Sequence, residues 1–443
     1  MTKAKLLAST LFLLGACASD DMKMSMQPEP TLTTFKLRIE NIAPWTVLKS
    51  GTAGTGAIAG GDSDSLTFTA GKKQSVSFAA MFGESNDWFF APGPSGIALY
   101  DADGNPVSGD VTSHVSLWNA GTEIDQEPAV GDSTGPKQPA PDYGAADPDP
   151  TVRQLAQNVT LSDGSTFALP DIASMIKVTL TPGANGQFTL TIANVSTATT
   201  LVTSQGTRGI HISPAVWALH IAPAPLFTPG SADRAQGLEL VAESGRGAML
   251  AAQLKELTGW ATPISPGVYV VHTDPEPLYA LGLADAGKGL EQLAESGNNT
   301  VLGGAMAHVA GMTGGMFDVP VGSTAKAAAK PGDAFELTVQ GLPGDHVSFA
   351  SMFGMSDDWF FATNPEGIAL FDDQGNPVSG EVTEDIGIYD AGTEVDEEPA
   401  IGADTGPQQA MPDQGAADPV HQVREAAYAV PASAHLRVTL TPQ

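Results

Sequence analysis

Two short acidic motifs, each present twice, carry the side chains best suited to chemistry. The first reads Ser-Asn-Asp-Trp-Phe-Phe at 85–90 and Ser-Asp-Asp-Trp-Phe-Phe at 356–361. The second reads Asn-Ala-Gly-Thr-Glu at 119–123 and Asp-Ala-Gly-Thr-Glu at 390–394. Hard cations such as Ca²⁺ take about six to eight oxygen ligands, and the central glycine lets the outer residues of the second motif fold back toward each other. The motifs therefore predict a calcium site in each copy.

The same residues allow other interpretations. Solvated acidic loops are common in an acidic chain, and they need no ion. Paired carboxylates could also serve a carbohydrate-active hydrolase, although no catalytic motif marks a separate acid–base pair. The aromatic residues 88–90 and 359–361 either pack beneath the loop, which we favour, or lie exposed and contact a ligand.

Composition narrows the class of protein. The 443 residues include 50 acidic and 20 basic side chains, giving a formal net charge of −30. Nucleic-acid binding needs clustered basic residues for the phosphates, so this balance argues against it. A single cysteine excludes a disulfide scaffold and a cysteine-ligated zinc site.

Internal repeats define the organisation of the chain. Residues 76–109 align without gaps on 347–380 at an offset of 271, with 25 identities in 34 positions. The edges repeat as well, which predicts two domains at about 33–183 and 187–443. The second is longer because of an insertion at about 210–312, in which a strand–helix unit occurs twice at an offset of 52.

The secondary structure is predicted from the periodicity of apolar residues. Segments at the domain edges, such as 34–41 and 187–194, alternate apolar and polar residues as strands with one buried face do. Glycines after the helical segments predict their C-terminal ends. The expected fold is all-β, with two tandem antiparallel β-sandwiches and a partly helical insertion in the second.

The N-terminus carries a targeting signal. Lys3 and Lys5 precede a short apolar run, and Leu14-Gly15-Ala16-Cys17 resembles a bacterial lipobox. We therefore expect residues 1–17 to be a lipoprotein signal peptide with Cys17 as the lipidated residue, followed by a flexible tether at 18–32. This arrangement predicts a lipid-anchored protein of the bacterial cell envelope, and Ala18, rather than Asp, after the cysteine favours the outer membrane. A purely structural envelope protein, whose duplication gives reach and rigidity, is an alternative.

The two acidic motifs, in this order, resemble those of the spondin N-terminal (F-spondin) domain, and the resemblance covers most of the mature chain. It implies a C2-like antiparallel sandwich that binds Ca²⁺ and acts without catalysis in adhesion or recognition of an extracellular protein or glycan. Carried over position by position, the implied ligands are Asp87, Asn119 and Glu123 in the first repeat and Asp358, Asp390 and Glu394 in the second.

The chain departs from the family pattern at two ligand positions. Both repeats end the second motif with Glu where animal members have Asp. The first repeat also has the neutral Asn119 where the second has Asp390. Because fewer charged ligands weaken a calcium site, we expect tighter binding in the second repeat. The animal disulfides have no counterpart here, so the animal partners are not carried over.

Overall fold

The computed structural model describes residues 31–135, 137–428 and 430–443, in which strands predominate. In chain order the first strands are β1 (Thr33–Asn41), β2 (Lys49–Ala53), β3 (Ser63–Thr69), β4 (Ser75–Met81), β5 (Trp88–Pro92), β6 (Ile97–Ala98), β7 (Gly109–Asp110), β8 (Val115–Asn119), β9 (Arg153–Gln154), β10 (Asn158–Thr160), β11 (Thr166–Ala168), β12 (Ile176–Pro182) and β13 (Gln187–Asn194). The others are β14 (Leu201–Thr203), β15 (Gly206–Arg208), β16 (Ala215–His220), β17 (Ile264–His272), β18 (Thr313–Phe317), β19 (Ala334–Gly341), β20 (His346–Phe353), β21 (Trp359–Thr363), β22 (Ile368–Ala369), β23 (Gly380–Glu381), β24 (Ile386–Asp390), β25 (Arg424–Glu425) and β26 (Leu436–Pro442).

The helices are few and short. They are α1 (Ile172–Met175), α2 (Leu238–Ser244), α3 (Ala248–Glu256), α4 (Leu290–Ser296) and α5 (Thr300–Met306), with 3₁₀ turns at Thr112–His114, Thr383–Asp385 and Ala432–Ala434. Helices α2 and α4 end at Gly245 and Gly297, whose φ angles of 65° and 68° are left-handed. The predicted glycine stops are thereby confirmed, because glycine adopts this conformation without steric cost.

Two antiparallel β-sandwiches form the molecule, as predicted. One, domain 1, pairs a four-stranded sheet in the order β3-β13-β12-β7 with a sheet in the order β2-β16-β4-β5-β8-β9. The other, domain 2, pairs β19-β1-β26-β23 with β18-β17-β20-β21-β24-β25. The short strands β6 and β22 add to β4 and β20, so each larger sheet has seven strands.

The strand pairing corrects the predicted boundaries at 33–183 and 187–443. Strand β1 lies between β19 and β26 of domain 2, with Leu37 opposite Leu337 and Leu440. Strand β13 lies between β3 and β12 of domain 1. Since β1 and β13 share the same alternating pattern of apolar residues, periodicity does not indicate which sheet each one joins.

The predicted insertion at 210–312 is likewise divided between the domains. Its first half contributes β16, α2 and α3 to domain 1, and its second half contributes β17, α4 and α5 to domain 2. Domain 1 is therefore inserted between β1 and β17 of domain 2. The two segments that connect the domains, one before β2 and one after α3, run side by side, and the Val47 amide donates to the Leu257 carbonyl at 3.3 Å.

Each larger sheet is buried on both faces. In β5, Trp88 and Phe90 point into the core between the two sheets, whereas Phe89 points into the core beneath α2 and α3. Because side chains alternate along a strand, a continuous apolar run fits this position. The aromatic residues in both copies of the first motif are thus buried in the core, as we favoured, and Trp359, Phe360 and Phe361 are no more than 3% exposed.

Candidate functional site

The acidic motifs meet at one end of each larger sheet. The first motif covers the turn before β5 or β21 and the first residues of that strand. The second motif begins at the last residue of β8 or β24 and continues into the loop that follows. Strand register places them together, because Trp88 pairs with Asn119 and Trp359 pairs with Asp390. A residue just before β5 or β21 therefore lies beside the loop that follows the neighbouring strand.

Asp358 fixes this loop with one oxygen. Its Oδ2 accepts hydrogen bonds from the Thr393 amide at 2.7 Å, the Thr393 hydroxyl at 2.9 Å and the Glu394 amide at 3.0 Å. Its Oδ1 is fully buried and has no hydrogen-bond partner among the described residues. Asp87 repeats the arrangement with Thr122 and Glu123, and its Oδ1 also lacks a described partner.

Glu394 and Glu123 each use one oxygen in a similar way. Oε1 of Glu394 accepts from the Gly415 amide at 2.6 Å, and Oε1 of Glu123 accepts from the Gly144 amide at 2.6 Å. Any Cβ at either glycine would lie within 2.7 Å of the glutamate, so a larger residue there would displace the glutamate carboxylate. In both residues Oε2 is buried without a hydrogen-bond partner in the described part of the chain.

Asp390 and Asn119 are engaged differently. Asp390 Oδ2 contacts the guanidinium of Arg424, which also lies 2.6 Å from Asp418 Oδ2. Asn119 donates to Asp125 Oδ1 at 2.8 Å. Asp390, the charged residue of this pair, therefore already has a cationic partner in Arg424.

The structure brings a different carboxylate set together from the predicted one. In domain 2, Asp357, Asp358 and Asp396 each offer an oxygen within 4.8 Å of the others. Asp396 Oδ1 also accepts from the Trp359 indole at 2.5 Å. Within the described residues, Asp358 is the only predicted ligand that belongs to a group meeting this distance. We call this set the aspartate group.

A second group of carboxylates lies in domain 1, where the sequence indicated no site. Asp142, Glu239 and Glu243 offer oxygens within 4.8 Å of one another. The two glutamates are four residues apart on α2 and so share a helix face. The four-residue spacing of the two glutamates could have predicted this pair from the sequence. Asp142 is distant in the chain and is brought to the pair by folding, and its amide donates to Glu243 Oε2 at 2.8 Å.

A threonine hydroxyl joins the aspartate group to Glu295 of α4. Thr393 Oγ1 lies 2.9 Å from Asp358 Oδ2 and 3.0 Å from Glu295 Oε1. Because a hydroxyl has one hydrogen to donate, the second contact needs a proton on a carboxyl group. Glu295 fits this role, since burial raises its pKa to about 7.

Burial dominates the electrostatics of the site. It raises the pKa of Asp357 to about 7, with a further increase from the Asp358 carboxylate. It raises the pKa of Asp87 to about 8 and shifts that of Asp358 upward as well. A charge removed from water is unfavourable unless it is compensated, so these groups require either protons or a cation.

The donor set fits a hard cation. The aspartate group offers carboxylate oxygens alone, without histidine or cysteine, which suits Ca²⁺ or Mg²⁺ better than a transition metal. The unpartnered Oδ1 of Asp358 supplies a buried oxygen to bind it. The corresponding positions in domain 1 are Asn86, Asp87 and Asp125, so that domain has one carboxylate fewer.

Comparison with known proteins adds no assignment: no protein-family model matches the chain, and no curated protein is significantly similar to it. Among the described residues, no helix is both long and apolar enough to cross a membrane. The predicted signal peptide with Cys17, and nearly all of the predicted tether, lie outside the described residues.

Proposed function

We propose that the protein is a calcium-binding recognition or adhesion module of the spondin type, lipid-anchored in the bacterial cell envelope and non-catalytic. The observation that carries the calcium part is the aspartate group, in which Asp358 is fully buried and keeps one oxygen without a hydrogen-bond partner in the described structure. A cation held there would compensate the buried charges and tie the β20–β21 turn to the loop after β24.

The architecture supports a binding role over catalysis. Oxygens of Asp358 and Glu394 accept hydrogen bonds from backbone amides, and the Asp390 carboxylate contacts Arg424. Carboxylates held in this way stabilise a loop and are poorly placed to exchange protons with a substrate. The lipobox at Cys17 supports attachment to the outer membrane.

Calcium should bind to the metal-free mature protein, and Asp358→Asn should abolish the tighter of two binding events. The substitution removes a charged ligand but nearly preserves its shape. Isothermal titration calorimetry of the full mature chain measures this. Glu366→Gln is the matched control, because Glu366 is exposed on a loop of the same domain.

The domains should differ in affinity, because Asn86 and Asn119 stand where domain 2 has Asp357 and Asp390. We expect Asn86→Asp to tighten the weaker event by supplying the missing third carboxylate of an aspartate group. Equal affinities in the wild-type chain, or no response to Asn86→Asp, would contradict the ranking.

Recognition should depend on the ion if calcium shapes the loops that face a partner. We expect binding of the mature protein to cell surfaces or glycan arrays in calcium and a loss of at least tenfold in EDTA. In both buffers, the Asp358→Asn variant should bind as weakly as the wild-type protein binds in EDTA. Undiminished binding of the wild-type chain in EDTA would separate recognition from the metal.

A further inference from the structure

A large cavity lies in domain 1, beside α2. It has a volume of about 830 Å³ and is lined in part by Met81, Gly83, Gln138 and Glu243. The equivalent cavity of domain 2, lined by Met352, Gly354, Gln409 and Glu295, has about 330 Å³. Small-molecule sites commonly have about 300–1,000 Å³. The duplication therefore provides an internal comparison of the same cavity in two sequences.

Four residues distinguish the larger cavity from its counterpart. Glu84, Arg208, His211 and Arg246 line it in domain 1. The equivalent residues by the two repeat offsets are, in the same order, Met355, Trp260, Pro263 and Asn298. At these four positions, therefore, only the domain 1 cavity has ionisable side chains, although the other lining residues named above are the same in both domains.

Glu84 orients His211 at this cavity. The carboxylate is 3% exposed, and its oxygens accept from the His211 amide at 2.9 Å and contact the His211 ring Nδ1 at 2.8 Å. With Nδ1 held in this way, Nε2 remains for a ligand, and the ring side chain is 59% exposed. Burying a carboxylate is costly, so using both oxygens on one residue indicates that the position of His211 matters.

The cavity carries a larger share of basic side chains than the chain as a whole, with two arginines against two carboxylates, Glu84 and Glu243. Its carboxylates are satisfied internally, because Glu84 contacts His211 while Glu243 accepts from Thr122 and the Asp142 amide. Neither Arg208 nor Arg246 forms an ion pair with any described residue. In a chain with 50 acidic and 20 basic residues, two such guanidinium groups at one cavity favour an anionic ligand.

We propose that this cavity binds a small organic ligand through a carboxylate, phosphate or sulfate group, held by Arg208, Arg246 and His211. The guanidinium groups match the planar or tetrahedral oxygens of such an anion, and His211 adds a directed ring nitrogen. The site is separate from the aspartate group. The proposal therefore does not depend on the proposed function.

The test uses four sugars of similar size: glucuronate, glucose 6-phosphate, glucose 6-sulfate and uncharged glucose. Binding to the full mature protein in calcium buffer is followed by ligand-observed NMR. We expect at least one acidic sugar to bind at least tenfold more tightly than glucose, and the preferred one identifies the anion. If no acidic sugar binds more tightly than glucose, the proposal fails.

The double substitution Arg208→Gln and Arg246→Gln should weaken binding of that sugar at least tenfold, since two charge-assisted hydrogen-bonding groups are lost. Both residues are exposed, so the fold should be retained, which circular dichroism verifies. Asn298→Gln at the equivalent position of domain 2 is the control and should bind like wild type. Wild-type affinity in the double variant would overturn the assignment.

Discussion

Removing β1 from the mature chain should unfold domain 2 and leave domain 1 folded. Phe35, Leu37 and Ile39 are completely buried in the domain 2 core, and β1 supplies hydrogen bonds to both neighbouring strands. Losing one such side chain costs about 2–5 kcal/mol. Their joint loss approaches the total stability of a domain, about 5–15 kcal/mol.

Hydrogen exchange can locate this effect along the chain. In the protein that begins at residue 43, amides of β19 and β26 should lose protection, while those of β3 and β12 keep it. A peptide of residues 31–43 added in trans should restore protection, because it completes the sheet as a donated strand. Loss of protection in β3 and β12 instead would mean that β1 pairs within domain 1.

A point substitution gives the same comparison in an intact chain. Leu37→Asp places a charge in the domain 2 core and should reduce the amide protection of β19 and β26. Lys36→Asp, on the partly exposed face of β1, is the matched control. It should change the free energy of unfolding much less, because surface pairs contribute little.

The fold could be predicted from sequence wherever the signal was local. Alternation in β1 and β13 predicted strands, and Gly245 and Gly297 predicted helix ends. The local sequence could not predict which strands pair, because β1 and β13 have the same alternating pattern of buried residues and each would fit either sheet. The choice depends on how the short segments near 42–46 and 258–263 cross between the domains, which is a property of the whole chain.

The site was predicted in part for the same reason. Asp87 and Asp358 stand in a distinctive motif, and the structure confirms that their loops meet those of the second motif. Asp396 was not among the predicted ligands, because its place is set by the Trp359 indole, a contact between the start of β21 and the loop after β24. Arg424, which compensates Asp390, comes from a strand that begins 34 residues further along, and no local pattern connects the two.

In EDTA, the protein should become less stable as the pH rises from about 5 to 8. Burial raises the pKa of Asp357 to about 7 and that of Asp87 to about 8, whereas an unfolded aspartate titrates near pH 4. The folded state therefore holds more protons than the unfolded state in this range. Its extra stability is present at low pH and is lost as the pH rises through the folded pKa values.

Calcium should reverse this trend, because a bound cation stabilises the ionised carboxylates and its binding releases protons. At a calcium concentration 100 times the dissociation constant, the gain is about 2.7 kcal/mol, and it should increase with pH. Urea denaturation at pH 5, 6.5 and 8, with EDTA and with calcium, measures both slopes.

Asp357→Asn separates the protonation effect from general changes in charge. An amide cannot ionise, so this variant should lose less stability than wild type between pH 5 and 8 in EDTA, and it should gain less from calcium. Glu366→Gln should behave like wild type in both buffers. A wild-type protein that became more stable toward pH 8 in EDTA would show that these carboxylates are ionised and compensated without a metal, and the calcium proposal would then lose its physical basis.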